Sequence, residues 1–246
     1  NSQFEWRQGV KHDNSKIMEL KIVDGQLYNG LQEKVNIEND LVFPLIKSSM
    51  IKKPIIVDSE KRVIVTQKFV NENTDYIKLN FPKTWKYLNK HLESFEKRKS
   101  SIYKNAPQFS MFGVGDYSYS RYKVGISGFY KKPLFSLLYT YDLKPIMMDD
   151  TGYFISFDDF DLAYVAMLCL NSIPVQSFLK NIAFLDAKRP YTKKVLQRID
   201  FKKVIDFLTI DDLVITEVAL EVDSYITDEL YTLFKDYVLG DQLTLF

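Results

Sequence analysis

The stretch from Phe109 to Phe157 places short runs of aromatic and β-branched residues between single glycines. Residues of these types favour strands, and glycine favours the turns that separate strands. The predicted strands of this stretch are Phe109–Phe112, Tyr122–Phe129, Leu134–Tyr141, Pro145–Met148 and Tyr153–Phe157. This alternation restricts the chain to folds that are built around a β-sheet.

Helical patterns follow and precede this β-rich stretch. Pro82 begins a predicted helix that reaches about Arg98, because the apolar residues between them recur at helical spacing. Asp158 and Asp159 precede a second helix, whose positive end these acids would cap. The other predicted elements are strands at Ile17–Val23, Ile55–Val57, Arg62–Gln67 and Val214–Val222, and helices at Phe160–Leu170, Val175–Ala183 and Asp228–Val238.

These elements together predict an α+β fold with a twisted, mainly antiparallel β core and flanking helices. Residues 1–204 are expected to form one domain. Residues 205–246 are expected to form an acidic C-terminal extension, a strand and a helix, that packs on this domain.

The composition excludes several classes of protein. Hydrophobic residues make up 46% of the 246 positions, too many for a disordered chain. No apolar run approaches the roughly 20 residues that a membrane span needs. One cysteine, Cys169, and two histidines, His12 and His91, argue against a disulfide framework and against a zinc or His-rich metal centre. We expect a cytoplasmic protein without a signal peptide, and the missing initiator methionine suggests a fragment.

The net charge of +1 hides an uneven distribution. Residues 82–133 carry eleven basic and three acidic side chains, whereas residues 205–246 carry one basic and ten acidic side chains. A basic block of this density is typical of a polyanion-binding surface. The alternative is that both blocks are solvated surface and attract one another.

Patterns that would indicate catalysis are weak. The chain has no phosphate-binding GxxxxGK[ST] loop and no GxSxG elbow, and Gly113-Val114-Gly115 lacks the third glycine of a nucleotide-binding turn. Glu19-Leu20-Lys21 matches half of a metal-dependent nuclease motif. Asp149-Asp150 and the acids at 158–161 are better explained as turn and cap residues. A nuclease therefore stays an alternative.

Residues 97–132 interleave basic side chains with tyrosines, serines and glycines. Lysine and arginine neutralise phosphates, and hydroxyls and loop N–H groups bond to phosphate oxygens. Glycine lets the backbone approach a ligand closely. This composition predicts loops that contact DNA.

The same segment carries a family resemblance. Residues 109–132 read FSMFGVGDYSYSRYKVGISGFYKK, which resembles the FSIFGIGDYSFxxYKVxISGxYK stretch of Eco57I/TaqI-like N6-adenine methyltransferases of bacterial restriction–modification systems. Further segments match in order: WRQGVKHDNSKIMEL (6–20), IENDLVFPLIKSSMI (37–51), IVTQK (64–68), RKSSIYK (98–104), KPIMMDDTGYFISF (144–157) and residues 170–200. The resemblance covers roughly residues 4–200.

The resemblance implies the C-terminal target recognition domain of such an enzyme, which reads double-stranded DNA. In that family, the N-terminal methyltransferase domain carries a glycine motif for S-adenosylmethionine and an NPPY-type motif for the flipped adenine. Neither motif occurs in this sequence. The segment most similar to the NPPY-type motif is Asn80-Phe81-Pro82-Lys83, which lacks the second proline and the aromatic residue. We therefore expect no cofactor in this chain and no methylation by it alone. Its expected partners are DNA and the parent methyltransferase domain, or that domain alone if the chain is a protein-interaction module.

The candidate DNA-binding residues fall into two groups. Basic and hydroxyl side chains beside loops are expected to contact phosphates, although helix-end or solubilising roles are alternatives; they are Arg98, Lys99, Lys104, Tyr130, Lys131, Lys132, Lys188, Arg189 and Lys193. Side chains between Gly115 and the next strand are expected to read base edges, although the tyrosines could pack instead; they are Tyr117, Ser118, Tyr119, Arg121 and Lys123.

Overall fold

The computed structural model describes residues 4–142 and 144–240, which form two β-sheets with flanking helices. The strands are β1 (Arg7–Gln8), β2 (Glu19–Val23), β3 (Gln26–Asn29), β4 (Lys34–Val35), β5 (Val42–Ile46), β6 (Ile55–Ile56), β7 (Lys61–Ile64), β8 (Tyr122–Ser127), β9 (Phe135–Leu138), β10 (Met147–Met148) and β11 (Gly152–Phe157). The helices are α1 (Ser15–Met18), α2 (Tyr76–Asn80), α3 (Pro82–Lys90), α4 (Leu92–Glu96), α5 (Asp116–Tyr119), α6 (Phe160–Asn171), α7 (Ile173–Ile182), α8 (Lys193–Leu196), α9 (Phe201–Phe207), α10 (Ile210–Leu220) and α11 (Asp228–Leu239).

Both sheets are mainly antiparallel. The first sheet has the order β1-β11-β8-β9-β6, in which only the β6–β9 pair is parallel. The second sheet has the order β10-β5-β7-β2-β3-β4, in which only the β10–β5 pair is parallel. The α+β class and the mainly antiparallel core that the sequence predicts are confirmed.

The first sheet is covered on both faces. Val124, Ile126 and Ile155 belong to the same apolar cluster as α6, whose residues from Ala163 to Leu170 are all buried. Phe154 lies on the other face, in a second cluster with residues of β5, β9 and β10. Because side chains alternate along a strand, β8 has no solvent-facing side between its two ends.

The helix predicted from Pro82 is interrupted at His91. Pro82 occupies the first turn of α3, as expected, and the carboxylate of Glu38 accepts hydrogen bonds from the backbone N–H groups of Lys83 and Thr84. At His91 the backbone leaves the helical region, with φ −109° and ψ 18°, and α4 begins one residue later. His91 Nε2 lies 2.8 Å from Glu33 Oε2, a contact that ties this break to the second sheet.

Two predicted strands are wrong. Val214–Val222 lies mostly in helix α10, because Thr209 and Asp212 form reciprocal hydrogen bonds that cap a helix and override the strand preference of the β-branched residues. Phe109–Phe112 forms no strand: Phe109 has φ +60°, and Phe112 pairs only through an isolated bridge to Lys11.

The acidic segment after residue 204 packs on α6. Tyr231, Phe234 and Val238 of α11 share the apolar cluster of that helix. The hydroxyl of Tyr164 donates to the buried Glu217 Oε1 at 2.7 Å, and this oxygen also accepts from the backbone N–H of Ile226 at 2.8 Å. A domain boundary after residue 204 stays a prediction, and residues 241–246 lie outside the described residues.

No single helix of the described ranges is long and apolar enough to cross a membrane. Helices α6 and α7 together reach the required length and composition, but they are bent by 59° against each other.

Candidate nucleic-acid interface

Strand β8 separates the two loops that the sequence predicts to contact DNA. Arg121 and the α5 turn precede its first residue, and the loop with Tyr130, Lys131 and Lys132 follows its last residue. At about 3.3 Å per residue, the two loops lie roughly 20 Å apart along the strand. They therefore form two surfaces and not one continuous reading loop.

The first surface gathers around the α5 turn. The guanidinium of Arg7 lies 4.5 Å from the ring centroid of Tyr117 and pairs with Glu5. Glu5 also lies 3.5 Å from the ammonium of Lys193. Tyr117 and Lys193, which are far apart in sequence, thus meet through Glu5 and Arg7. Arg7 was missed by the sequence analysis, since one arginine in a short strand carries no distinctive pattern.

Arg121 is the exposed cation of this surface. Its guanidinium lies 5.3 Å from the ring centroid of Tyr122 and forms no ion pair with a described residue. Its five N–H donors can therefore reach a ligand in front of the loop.

Two other candidates of the α5 turn have structural contacts. Ser118 is buried, and its hydroxyl donates to the carbonyl of Gly113 at 3.2 Å. The hydroxyl of Tyr119 donates to the carbonyl of Gln67 at 3.0 Å, and its ring packs edge-on against Phe43. The expectation of base contact is therefore revised for Ser118, which cannot reach DNA in this conformation.

The expectation of base contact is also revised for Lys123. Its side chain is 1% exposed on the covered face of β8, and its ammonium donates to the carbonyl of Ser120 at 2.7 Å. Burial lowers the pKa of Lys123 to about 7. The side chain holds the end of the α5 turn and does not face solvent. Whether a face of a strand is covered depends on both layers packed around it, so the burial of Lys123 could not be predicted from the sequence.

The backbone conformation of Gly113 accounts for the Gly113-Val114-Gly115 pattern, so no nucleotide-binding role is needed to explain it. Its φ of +69° lies in the left-handed region, and a Cβ at this position would stand 2.3 Å from the carbonyl oxygen of Gly9. The glycine lets the chain turn into α5 directly beside β1.

Arg98 joins three segments. Its Nη1 donates to the carbonyls of His12 and Ser110, at 3.2 and 2.7 Å, and its guanidinium lies 3.7 Å from the ring centroid of Tyr103. Burial lowers the pKa of Arg98. Lys99 and Lys104 are exposed beside it and line a depression of about 350 Å³. Lys99 and Lys104 can meet a phosphate, whereas most donors of Arg98 are already used.

A neighbouring cleft of about 610 Å³ contains the acid of the predicted nuclease motif. Both carboxylate oxygens of Glu19 lie 2.8 Å from the ammonium of Lys47. Burial opposes the ionisation of Glu19, but His12 and Lys47 outweigh it and hold the pKa at about 2. Within the described residues, no group of three or more His, Cys, Asp or Glu side chains could hold a metal ion.

The predicted phosphate-binding residues Lys188, Arg189 and Lys193 lie in two different places. Lys193 lies at the first surface, as described above. Arg189 instead lies 4.9 Å from the ring centroid of Phe129, and the hydroxyl of Tyr191 donates to the carbonyl of Lys131 at 2.8 Å. Lys188 is exposed next to this contact. The loop at 188–191 therefore packs against the loop at the far end of β8.

The second surface is a groove of about 980 Å³ at that far end. The exposed Lys131 and Lys132 line it, together with Tyr130, whose hydroxyl donates to the carbonyl of Ser49 at 3.0 Å. Three further lysines that were not predicted from the sequence also line this groove, Lys52, Lys53 and Lys180. A signal was present, because Lys52-Lys53-Pro54 repeats Lys131-Lys132-Pro133.

Comparison with known proteins relates the chain to a methyltransferase. No family model matches it. The chain is 43% identical over 201 residues to the type II methyltransferase M.NspV of Nostoc sp. (strain ATCC 29411 / PCC 7524). The chain is homologous to part of this methyltransferase. The matched region is 82% of the chain and 42% of the length of M.NspV, so the chain corresponds to less than half of its relative.

Among solved structures, that of the type IIL restriction–modification enzyme MmeI in complex with DNA has a low similarity to this chain. The two share 10% sequence identity with a TM-score of 0.41, over 98% of this chain and 33% of the enzyme chain.

The buried lysine generates a prediction about pH. Replacing Lys123 by Met should remove a group that is protonated below pH 10 in the unfolded chain but only below about pH 7 in the folded protein. The wild type should therefore gain stability relative to Lys123→Met as the pH rises from 7 to 10, by at most about 1.4 kcal/mol per pH unit. Below pH 7 the difference should be constant, because the lysine is then protonated in both states.

Urea unfolding at pH 6, 7, 8 and 9 measures this difference. Lys203→Met, at an exposed position of α9, is the matched control and should follow the pH dependence of the wild type. Parallel curves for Lys123→Met and the wild type would show that the ammonium is not buried.

Proposed function

We propose that this chain is the sequence-specific double-stranded DNA recognition domain of an N6-adenine DNA methyltransferase or a fused restriction–modification enzyme. The observation that carries the proposal is the homology to part of a type II methyltransferase. The structure adds that exposed basic loops lie at both ends of the buried strand β8. Exposed Lys and Arg side chains on rigidly held loops fit a polyanion.

The exposed cations suggest two different roles in DNA binding, base readout and phosphate anchoring. Arg121 projects from the short loop after α5, and arginine binds the O6 and N7 atoms of guanine with two hydrogen bonds in the major groove. Lys99, Lys104, Lys131 and Lys188 are exposed and suit phosphates, which anchor the duplex without reading its sequence. Base readout is thus assigned to the first surface, here called the α5 side, and anchoring to these four lysines.

Methyl transfer to adenine is assigned to the part of the parent enzyme that lies outside this segment. S-adenosylmethionine would bind there, and DNA held in register by this domain would present an adenine for extrusion from the duplex. The homologous segment covers 42% of M.NspV, which leaves room for a separate catalytic domain in such a parent.

DNA binding should depend steeply on salt. If about five phosphates are contacted, the logarithm of the association constant should fall with the logarithm of the salt concentration at a slope of about −4 to −5. Fluorescence anisotropy with a duplex obtained by selection from a random pool, between 50 and 300 mM salt, measures the slope. A flat response, or the absence of binding at any salt concentration, would refute the proposed function.

Arg121 should contribute to specificity. Arg121→Ala should weaken binding to the selected duplex by about 1–3 kcal/mol and relax the preference at one base pair, because a bidentate contact to guanine is lost. The matched control is Arg198→Ala, an exposed arginine outside both surfaces. Repeating the selection with each variant gives the readout. An unchanged base preference for Arg121→Ala would assign this arginine to the phosphates.

A second candidate function is docking of the parent methyltransferase domain. Helix α10 exposes Val214, Ile215 and Val218, the last to 73%, on an acidic segment. An exposed apolar patch of this kind is typical of a protein interface. Pull-down of the parent domain in 1 M salt should succeed with the wild type and fail with Ile215→Ser/Val218→Ser, and equal recovery of both would contradict docking through α10.

A further inference from the structure

Two Lys-Lys-Pro segments enter one edge of the first sheet side by side. Lys52-Lys53-Pro54 leads into β6, and Lys131-Lys132-Pro133 leads into β9. These strands are the parallel pair of the sheet, with Ile55 opposite Leu137. Because parallel strands begin at the same edge, the two lysine pairs approach the same groove.

Hydrogen bonds between the segments fix this arrangement. The hydroxyl of Ser136 donates to the carbonyl of Lys53 at 2.6 Å, and the backbone N–H of Leu137 donates to the carbonyl of Pro54 at 2.8 Å. Each proline favours an extended backbone at the lysine before it. The backbone therefore holds the lysines in place, while their side chains stay exposed.

Helix α7 provides the opposite wall. Ile173, Gln176, Ser177 and Lys180 all line the groove, and they follow one another at the spacing of a single helical face. Lys180 adds a fifth ammonium. We call this site, formed by Lys52, Lys53, Lys131, Lys132 and Lys180, the lysine groove.

The charge of the lysine groove is not balanced by the protein. None of its five ammonium groups forms an ion pair with a described residue. The acidic side chain along its lining is Glu221, at the end of α10. Like charges gathered in this way repel one another, and a bound anion relieves that repulsion.

We infer that the lysine groove binds the phosphodiester backbone of duplex DNA, independently of base sequence, beside the bases that the α5 side reads. The inference rests on the proposed function and adds Lys52, Lys53 and Lys180 to the site. Lysine is a flexible point charge that suits phosphates without a fixed hydrogen-bond geometry. An acidic protein partner fits less well, because lysine is depleted in the cores of protein interfaces.

The position of the groove defines where the contacts fall on DNA. The lysine groove and Arg121 lie at opposite ends of β8, roughly 20 Å apart. Along a duplex with one phosphate per 3.4 Å of each strand, this distance corresponds to about six base pairs. For a duplex that lies along β8, phosphates protected by the groove should therefore lie about six base pairs from the base contacted by Arg121.

The test uses the variant Lys52→Gln/Lys53→Gln/Lys180→Gln. Anisotropy titrations with the selected duplex and with a scrambled duplex should show the same loss for both, about tenfold or more at 100 mM salt. The salt slope should become shallower by about 2 to 3, because up to three phosphate contacts are lost. Hydroxyl-radical footprinting should show lost protection only on the groove side.

Two controls separate charge from structure. Lys52→Arg/Lys53→Arg/Lys180→Arg keeps the charges and should retain the slope of the wild type. Lys21→Gln/Lys34→Gln removes two exposed lysines from the second sheet and should leave affinity and slope unchanged. Thermal unfolding of each variant verifies that it is folded.

The outcomes distinguish the inference from the proposed function. Absence of DNA binding by the wild type would overturn both. Binding by the wild type with an unchanged slope in the triple Gln variant would overturn the lysine groove alone. A loss confined to the selected duplex would show base readout, and tighter binding of poly-glutamate than of DNA would show a protein site; either result would overturn the inference.

Discussion

The burial of β8 on both faces determines where the two basic surfaces at its ends can meet a ligand. The strand lies inside the first sheet, between β9 and β11, with apolar clusters above and below. Side chains along it are committed to packing, as Lys123 shows, so only the loops at its two ends reach solvent. The length of the strand then sets the distance between the α5 side and the lysine groove.

Charged side chains that are buried or partly buried tie neighbouring segments together in both sheets. Lys123 holds the carbonyl of Ser120, Arg98 holds those of His12 and Ser110, and the carboxylate of Glu19 is held by Lys47. Lys123 is buried, whereas Arg98 and Glu19 are partly buried, and withdrawing a charge from water is costly unless a partner is placed with good geometry. Such groups therefore act mainly as ties between segments, and the exposed cations beside them remain for a ligand.

Sequence patterns were most informative where local interactions decide the structure. Asp159 caps α6 and Pro82 begins α3, because a cap or a first-turn proline acts on neighbouring backbone groups. The same kind of signal was overlooked at Thr209 and Asp212, where a capping box overrides a β-branched run. The candidate residues were harder to judge: Arg121 and Lys131 are exposed, whereas Ser118 and Lys123 in the same basic segment are buried.

The α+β class, the β-rich centre and the strongly basic block could be predicted from the amino-acid sequence, because residue preferences and charge are local properties. Which cations can reach a ligand depends on how the segments pack. The pairing of β6 with β9 brings residues 52 and 131 to one edge, and the burial of β8 withdraws Lys123 from the surface. Both outcomes depend on contacts between segments far apart in the chain, which no local pattern records.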